Sequence, residues 1–286
     1  MKLLLGELLY WGSFLIVPFV ALLFIYRKKI HKLVLVILVI GSLFFVWARF
    51  LEPQIIIVRE HSLDVGFSGK IVLIADTHLG VYKREQFLER VVRVINKQNP
   101  DYVMIAGDFT HDPKEGEIGL LFESLSDINV PVYAVLGNHD IEPGSPVRSE
   151  LRNVLEHEGI NFLNNQKIVL ENFTLVGMGD HWGNEDDVTL LDTFTEEDAV
   201  VVLTHNPDTT LSYANNNADV TLTGHTHCGQ VRIPWLYKRA IPTEGPFDKG
   251  FTQEKYTKLY ITCGLGEVGL PMRLFNPPVI DVLNFK

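Results

Sequence analysis

The chain has 286 residues, of which 47% are hydrophobic, and its formal net charge is −10. Residues 1–50 hold six Lys and Arg and one Glu, a net charge of +5, so residues 51–286 carry about −15. Such an acidic region repels polyanions. Because no basic patch with interleaved aromatic residues is visible, the composition excludes an extended nucleic-acid interface.

Two uncharged segments lie near the N-terminus, residues 8–26 and residues 33–48, with a basic stretch at 27–32 between them. A bilayer core of about 30 Å takes about 20 helical residues. The second segment reaches that length when Arg49 extends its charged end to the interface. A buried hairpin would be amphipathic, but both segments are apolar on every side. A signal peptide has its basic residues before its apolar core, but only Lys2 precedes the first segment. We therefore predict two transmembrane helices in residues 1–52 and a second domain over residues 53–286.

The basic residues predict an orientation for this hairpin. The short loop carries four Lys and Arg, against Lys2 on one side and Arg49 and Arg59 on the other. Loops rich in Lys and Arg stay on the cytoplasmic side of a membrane. The protein is therefore expected at the cell membrane, with residues 53–286 on the extracytoplasmic side.

The second domain alternates predicted strands and helices. Strands are predicted at 54–65, 70–75, 101–106, 130–136, 162–163, 168–170, 173–176, 199–203, 219–223, 258–262 and 279–284, and helices at 83–98, 117–126 and 147–158. The helices show apolar spacing of three and four residues, whereas most strands are short apolar runs. Strand–helix alternation with short connections predicts an α/β layered fold with a mixed or doubled sheet.

Polar clusters follow five of these strands: Asp76-Thr77-His78, Gly107-Asp108, Gly137-Asn138-His139-Asp140, Thr204-His205-Asn206 and Gly224-His225-Thr226-His227. Any one cluster alone is more typical of a turn or a surface loop. In open α/β sheets, however, sites lie beyond the carboxyl ends of the strands, so the five clusters are expected to converge. Their mixture of carboxylate, amide and imidazole donors suits Mn²⁺, Fe, Zn²⁺ or Co²⁺ better than Ca²⁺ or Mg²⁺ alone.

The order D-x-H, G-D, G-N-H-D, H and G-H-x-H resembles the calcineurin-like metallophosphoesterase superfamily over roughly residues 66–286. Residues 224–230 and 264–278 are similar to a membrane-anchored bacterial branch that includes phosphodiesterases and a UDP-2,3-diacylglucosamine pyrophosphatase. The resemblance implies a two-layer β-sandwich flanked by helices, here preceded by the transmembrane hairpin.

The resemblance also implies two divalent metal ions with seven ligands: Asp76, His78 and His227 for the first metal, Asn138, His205 and His225 for the second, and Asp108 between them. His139 is implied to face the phosphate as an acid or electrostatic stabiliser, held by Asp140 or a neighbouring carboxylate. Two such metals clamp the attacking and leaving oxygens, and a hydroxide that bridges them is the nucleophile. An imidazole can then protonate the leaving group near neutral pH.

We therefore expect a membrane-anchored, metal-dependent hydrolase of phosphoric esters, either a phosphodiesterase or a pyrophosphatase. The anchor predicts a phosphorylated small-molecule or lipid substrate at the membrane surface. A phosphomonoesterase or protein Ser/Thr phosphatase is the alternative within the enzyme class. A non-catalytic, membrane-anchored metal-binding scaffold is the alternative of another class, but it would lack a ligand or His139, and every such position is filled.

Three further sets of residues are interpreted less directly. Arg273 is a candidate substrate contact, with a solvated surface charge as an equal alternative, whereas Lys238 and Arg239 fit solvated charges better. Cys228 and Cys263 lack metal-binding spacing. An extracytoplasmic domain would allow a disulfide, but because Cys228 follows His227 directly, we expect two free thiols.

Overall fold

A computed structural model describes residues 2–114, 116–141 and 147–286. The helices are α1 Lys2–Gly12, α2 Ile16–Tyr26, α3 Lys32–Val46, α4 Glu85–Lys97, α5 Ile118–Phe122 and α6 Val147–His157. The strands are β1 Ile57–Leu63, β2 Gly69–Ile74, β3 Leu79–Gly80, β4 Tyr102–Ala106, β5 Thr110–His111, β6 Val132–Val135, β7 Ile160–Phe162, β8 Gln166–Val169, β9 Thr174–Gly177, β10 Val200–Leu203, β11 Val220–Thr223, β12 Gly250–Gln253, β13 Lys258–Ile261 and β14 Val279–Phe285.

The strands form two six-stranded mixed sheets, in the orders β1-β14-β2-β4-β6-β7 and β12-β13-β11-β10-β9-β8. In the first sheet β2, β4, β6 and β7 run parallel, with Val103 opposite Val132. In the second sheet β9, β10, β11 and β13 run parallel, with antiparallel strands at both edges. The predicted α/β sandwich with flanking helices is therefore confirmed.

The main core lies between the two sheets. Ile71 and Leu73 of β2 belong to the same buried cluster as Leu203 of β10 and Leu222 of β11. Successive strand residues point to opposite faces, so Val72 packs instead in the cluster beneath the helices. Both faces of β2 are thus covered, which is why its sequence is a continuous apolar run rather than an alternating one.

Helix α4 shows why the first sheet has a helical layer. Its buried residues are Phe87, Leu88, Val91, Val92 and Ile95. These positions recur every three or four residues, so they form one face. The helix ends before Asn99, whose φ is +48°, and Pro100, which cannot continue it. The predicted boundaries, 83–98, lie within two residues of those observed.

Some elements differ from the prediction. The expected helix over 117–126 is the short α5 followed by a 3₁₀ turn at Glu123–Asp127, where the Ser126 hydroxyl donates to the Glu123 carbonyl oxygen. Three strands were not predicted from the sequence: β3, β5 and β12. The first two contain only two residues each and pair with one another, so no local pattern marks them.

The N-terminal helices form an apolar hairpin. Two helical stretches, Leu4–Tyr26 and Lys32–Gln54, are long and apolar enough to cross a membrane, which suggests a membrane anchor. The hairpin touches the rest of the chain. The Arg273 amide donates to the Ala48 carbonyl oxygen over 2.9 Å, and the ring of Tyr10 stacks on Tyr82 with centroids 6.4 Å apart.

Candidate metal site

The five polar clusters of the sequence lie at the same end of the two sheets. Asp76 follows β2, Asp108 follows β4 and Asn138 follows β6, and these three strands are parallel neighbours in the first sheet. His205 follows β10 and His225 follows β11, which are parallel neighbours in the second sheet. Because the carboxyl ends of parallel strands share one edge, the clusters meet where the sheets face each other.

The donor atoms form two groups that share one carboxylate. Asp76, His78, Asp108 and His227 form one group, and Asp108, His205 and His225 form the other. The donor atoms within each group lie within 4.8 Å of one another, and all are buried. The amide oxygen of Asn138 lies 3.2 Å from Nε2 of His205 and so joins the second group.

The distances between donor atoms match a metal coordination sphere. The two Nε2 atoms of His78 and His227 are 3.0 Å apart, and His205 Nε2 is 3.1 Å from His225 Nδ1. Two ligands at right angles, each about 2.1 Å from one metal, are about 3.0 Å apart. Two neutral imidazoles whose lone pairs face each other at this distance repel, and a cation bound by both removes the repulsion.

Hydrogen bonds to backbone carbonyls orient three of the imidazoles. His78 Nδ1 and His205 Nδ1 lie 3.1 and 2.7 Å from the carbonyl oxygens of Thr110 and Ala106. His225 Nε2 lies 2.9 Å from a third carbonyl oxygen. A carbonyl only accepts, so each of these nitrogens carries the proton. The other ring nitrogen faces the site, where it presents its lone pair when it is not protonated, as a metal-binding histidine requires.

The backbone is strained at the site. Five non-glycine residues have positive φ there: Asp76 at +52°, His78 at +43°, Asp108 at +55°, His225 at +67° and His227 at +46°. Such angles are uncommon for residues with a Cβ. They cluster at functional sites, where the surrounding structure imposes the conformation. Here the left-handed turns direct side chains from the strand ends towards one point.

Burial and charge shift the pKa values of the cluster. Burial raises the pKa of Asp76 to about 7 and, with the charge of His205, lowers that of His225 to about 3. Burial alone would lower the pKa of His205, but the Asp108 carboxylate raises it to about 10. A proton on His205 thus offsets buried negative charge, and a divalent cation among the same atoms would do so in its place.

Two glycines and one carboxylate bring the Asp108 loop against the Asn138 loop. Gly107 has φ +77°, and a Cβ at Gly137 would lie 2.2 Å from Oδ1 of Asp108. The Asp140 carboxylate accepts from the amides of Phe109, Thr110 and Gly137. Asp140 therefore binds the two loops together through their backbone.

His139 lies beside the two groups of donor atoms. Its amide donates to Asp108 Oδ1 over 2.9 Å, and its ring meets that of His78 edge to face at 5.0 Å. The ring lines a cavity of about 430 Å³ that also reaches Asp108 and Asn138. The other walls of the cavity are largely apolar and include Val231, Pro242, Val268 and Leu270. This side chain can therefore reach a ligand placed between the site and the cavity.

Arg273 does not reach the cavity, which corrects the expected substrate contact. Its side chain is fully buried, and its guanidinium donates to the carbonyl oxygens of Cys263, Gly266 and Asn276. A guanidinium has five N–H donors, and here they bind the backbone of the loops behind the site. Lys238 and Arg239 are exposed, as expected.

Cys228 and Cys263 form a disulfide, so the expectation of two free thiols was wrong. The two residues are 35 apart in sequence, and both are fully buried. They meet because Cys228 lies in the turn after β11 and Cys263 follows β13, and these strands are parallel neighbours. Their pairing therefore depends on sheet topology, which local spacing does not reveal.

Other residues near the site were not singled out from the sequence. The rings of His111 and His139 lie 6.0 Å apart, and Trp182 meets His225 edge to face at 4.4 Å. Asp180 is buried, and its Oδ1 has no hydrogen-bond partner. The one sequence signal for His111 is its position three residues after Asp108.

Comparison with known proteins agrees with this geometry. The family model for calcineurin-like phosphoesterases matches residues 69–229. An uncharacterized metallophosphoesterase of Campylobacter jejuni is 30% identical over 281 residues, with 91% of this chain and 73% of that protein covered. The phosphodiesterase YaeI of Escherichia coli is 27% identical and covers 84% of this chain and 92% of its own. The UDP-2,3-diacylglucosamine pyrophosphatase LpxG of Chlamydia muridarum is 27% identical, with 83% and 92% covered.

Proposed function

The chain belongs to the calcineurin-like phosphoesterase family, and on that premise we propose that it is a membrane-anchored, two-metal hydrolase of phosphodiester or diphosphate bonds. The observation that carries the proposal is the pair of buried donor groups that share Asp108 and open onto a cavity. The named activities of YaeI and LpxG, a phosphodiesterase and a pyrophosphatase, support a substrate with two ester or anhydride bonds to phosphorus.

In this proposal the buried donors hold two divalent metals drawn from Mn, Fe, Zn and Co. Asp76, His78 and His227 would hold one, Asn138, His205 and His225 would hold the other, and the Asp108 carboxylate would be shared by both groups. When bound, the two ions supply Lewis acidity, which lowers the pKa of water and offsets charge on the phosphoryl oxygens. The protein fixes the donor atoms in place through the hydrogen bonds from the imidazoles to backbone carbonyls and through the left-handed turns.

His139 is the proposed acid. Its ring lies at the boundary between the donor groups and the cavity, where the leaving group of a bound ester would sit. A positioned imidazole can deliver a proton to a leaving oxygen and stabilise charge that develops there. Asp140 acts indirectly, because it joins the loop that carries Asp108 to the loop that carries His139.

The hairpin and the disulfide support an extracytoplasmic position for residues 53–286. Four Lys and Arg lie in the hairpin loop, which favours that loop on the cytoplasmic side. The Cys228–Cys263 disulfide is independent of that bias and is typical of an oxidising compartment. A lipid phosphodiester fits that side of the membrane better than a nucleotide-linked lipid, because nucleotides are made in the cytoplasm.

The test uses the purified full chain in detergent with bis-4-nitrophenyl phosphate and 4-nitrophenyl phosphate, after metal analysis. We expect two bound metals and faster hydrolysis of the diester. Asp108→Ala should lose both the metals and the activity, whereas Asp127→Ala, an exposed carboxylate on the 3₁₀ turn after α5, should keep both. Preference for the monoester would favour a phosphomonoesterase. An inactive protein that binds two metals would favour the non-catalytic scaffold.

A further inference from the structure

Five large apolar side chains, here called the apolar rim, are exposed near the mouth of the cavity: Ile233, Trp235, Leu236, Leu270 and Phe275. Trp235 is 90% exposed, Leu236 56% and Phe275 60%. The two parts of the rim are adjacent, since Val231 and Leu274 form a parallel bridge. Grouped apolar residues on a surface mark a binding site, whereas single ones do not.

The backbone holds two aromatic residues of the rim outwards. Trp235 has φ +67° and Phe275 has φ +57°. A bulky residue with positive φ is an outlier, and such strain persists at sites where the rest of the structure imposes it. Pro234 also restricts the segment, because its ring fixes φ. The exposed rings are therefore presented by segments with a constrained backbone.

The rim lies beside the end of the second apolar helix. The Arg273 amide donates to the Ala48 carbonyl oxygen, and the Arg232 amide donates to the Leu274 carbonyl oxygen, each over 2.9 Å. A chain spans at most about 3.6 Å per residue. Phe275 is two residues from Arg273, and Trp235 is three from Arg232, so both lie within about 11 Å of these anchor points. The rim is thus close to the C-terminal end of the second apolar helix, which is where the proposed anchor would leave the bilayer.

The first apolar helix is linked to the same wall of the cavity through Tyr82. Tyr82, whose ring stacks on Tyr10 of α1, donates its hydroxyl to the Gly269 carbonyl oxygen over 2.7 Å. Gly269 and Leu270 both line the cavity. The wall that carries Leu270 is therefore attached to the hairpin on one side and opens to the cavity on the other.

The charges around the rim fit a lipid surface. Lys238 and Arg239 follow it directly and are exposed, although residues 51–286 carry about −15 in total. Aromatic residues next to Lys and Arg are the composition found at membrane–water interfaces. Basic residues at that position also attract anionic lipid headgroups.

We infer that the apolar rim is a membrane-docking surface whose partner is the lipid bilayer. Docking places the mouth of the cavity against the surface of the membrane. A phosphoester lipid then enters from the bilayer, with its phosphate at the donor groups and its apolar part along Val231, Val268 and Leu270. The docking rests on the proposed membrane anchor, and the entry of the lipid rests on the proposed hydrolase activity.

The docking is tested without an activity assay. The full chain is placed in nanodiscs of phosphatidylcholine and phosphatidylglycerol, with or without bromine on the acyl chains. The difference in emission between the native protein and Trp235→Phe isolates the signal of Trp235. We expect bromine to remove about half of that signal, as for an interfacial ring. A control tryptophan, Val169→Trp, on an 80% exposed position of the edge strand β8, should not be quenched. An unquenched Trp235, or equal quenching at both positions, overturns the inference.

The entry of the lipid is tested with two esters that share a leaving group. Vesicle-bound phosphatidyl-4-nitrophenol is compared with soluble bis-4-nitrophenyl phosphate, both with the reconstituted full chain. The double variant Trp235→Glu/Leu236→Glu should lose about tenfold or more in kcat/KM on the lipid ester, since docking raises the local concentration. Its activity on the soluble ester should stay within about twofold.

Leu120→Glu is the matched control, because Leu120 is 54% exposed on α5 and Leu236 is 56% exposed. It should leave both activities unchanged. Equal activity of the double variant and the control on the lipid ester refutes entry from the bilayer. If the native chain hydrolyses neither ester, the proposed function fails, and the quenching result still decides the docking.

Discussion

The disulfide between Cys228 and Cys263 gives the most quantitative prediction. Its sequence separation is 35 residues. In the chain-entropy relation, closing a loop of that length lowers the entropy of the unfolded chain enough to stabilise the fold by about 4 kcal/mol at 25 °C. For a region of this size each kcal/mol corresponds to about 2–4 °C in Tm. Reduction should therefore lower the Tm by roughly 8–16 °C.

The site should respond to the same reduction. Cys228 directly follows His227, and Cys263 precedes Gly264, at which a Cβ would lie 2.6 Å from the Cβ of Asp76. The bridge thus ties together loops on two sides of the first donor group. Without it, metal affinity should fall by about 10–100-fold, as when an outer support of a metal site is lost.

The assay combines thiol titration of the unfolded chain with thermal unfolding in detergent, each with and without reductant. The control is Cys228→Ser/Cys263→Ser, whose Tm should already be low and should not respond to reductant. Two titratable thiols in the unreduced native chain would refute the bridge. A bridged chain whose Tm is insensitive to reduction would refute the entropic argument.

The remaining predictions concern single residues of the site and its surroundings. His139→Ala should lower turnover by about 10²–10⁴-fold while metal analysis still finds two ions; unchanged turnover removes His139 from the mechanism. Gly137→Ala should abolish tight metal binding measured by calorimetry, because the new Cβ would lie 2.2 Å from Asp108 Oδ1; native affinity would show that the loops can separate. Arg273→Met should lower the free energy of unfolding by about 3 kcal/mol or more, since it leaves buried carbonyls without donors. Denaturant titration measures this loss, and a smaller one would mean that water replaces the guanidinium.

The sequence was sufficient to predict the sheets and the convergence of the polar clusters. Strands such as β2 and β10 are short apolar runs bounded by polar residues, and parallel strands place their carboxyl ends together. The positions of Asp76, Asp108 and His205 at one edge follow from those two properties.

What the sequence did not predict depends on contacts between distant segments. The disulfide requires β11 and β13 to be neighbours, and β3 pairs with β5 only because the loops after β2 and β4 meet. Arg273 was expected to be either a substrate contact or a solvated surface charge, and it is neither, because its guanidinium is buried and bound by backbone carbonyls. Its apolar neighbours Met272 and Leu274 were a local signal of burial.

The junction between hairpin and catalytic region has a consequence for what the enzyme can reach. Three groups of the hairpin contact residues beyond position 80: the Ala48 carbonyl, the Glu52 carboxylate and the Tyr10 ring. The two parts are therefore not separated by a flexible linker. The catalytic region therefore cannot move freely relative to the hairpin, as it could on a flexible linker. With the hairpin in a membrane, as proposed, the site would stay at a constant height above that membrane, so a macromolecular target far from the membrane surface would lie beyond its reach.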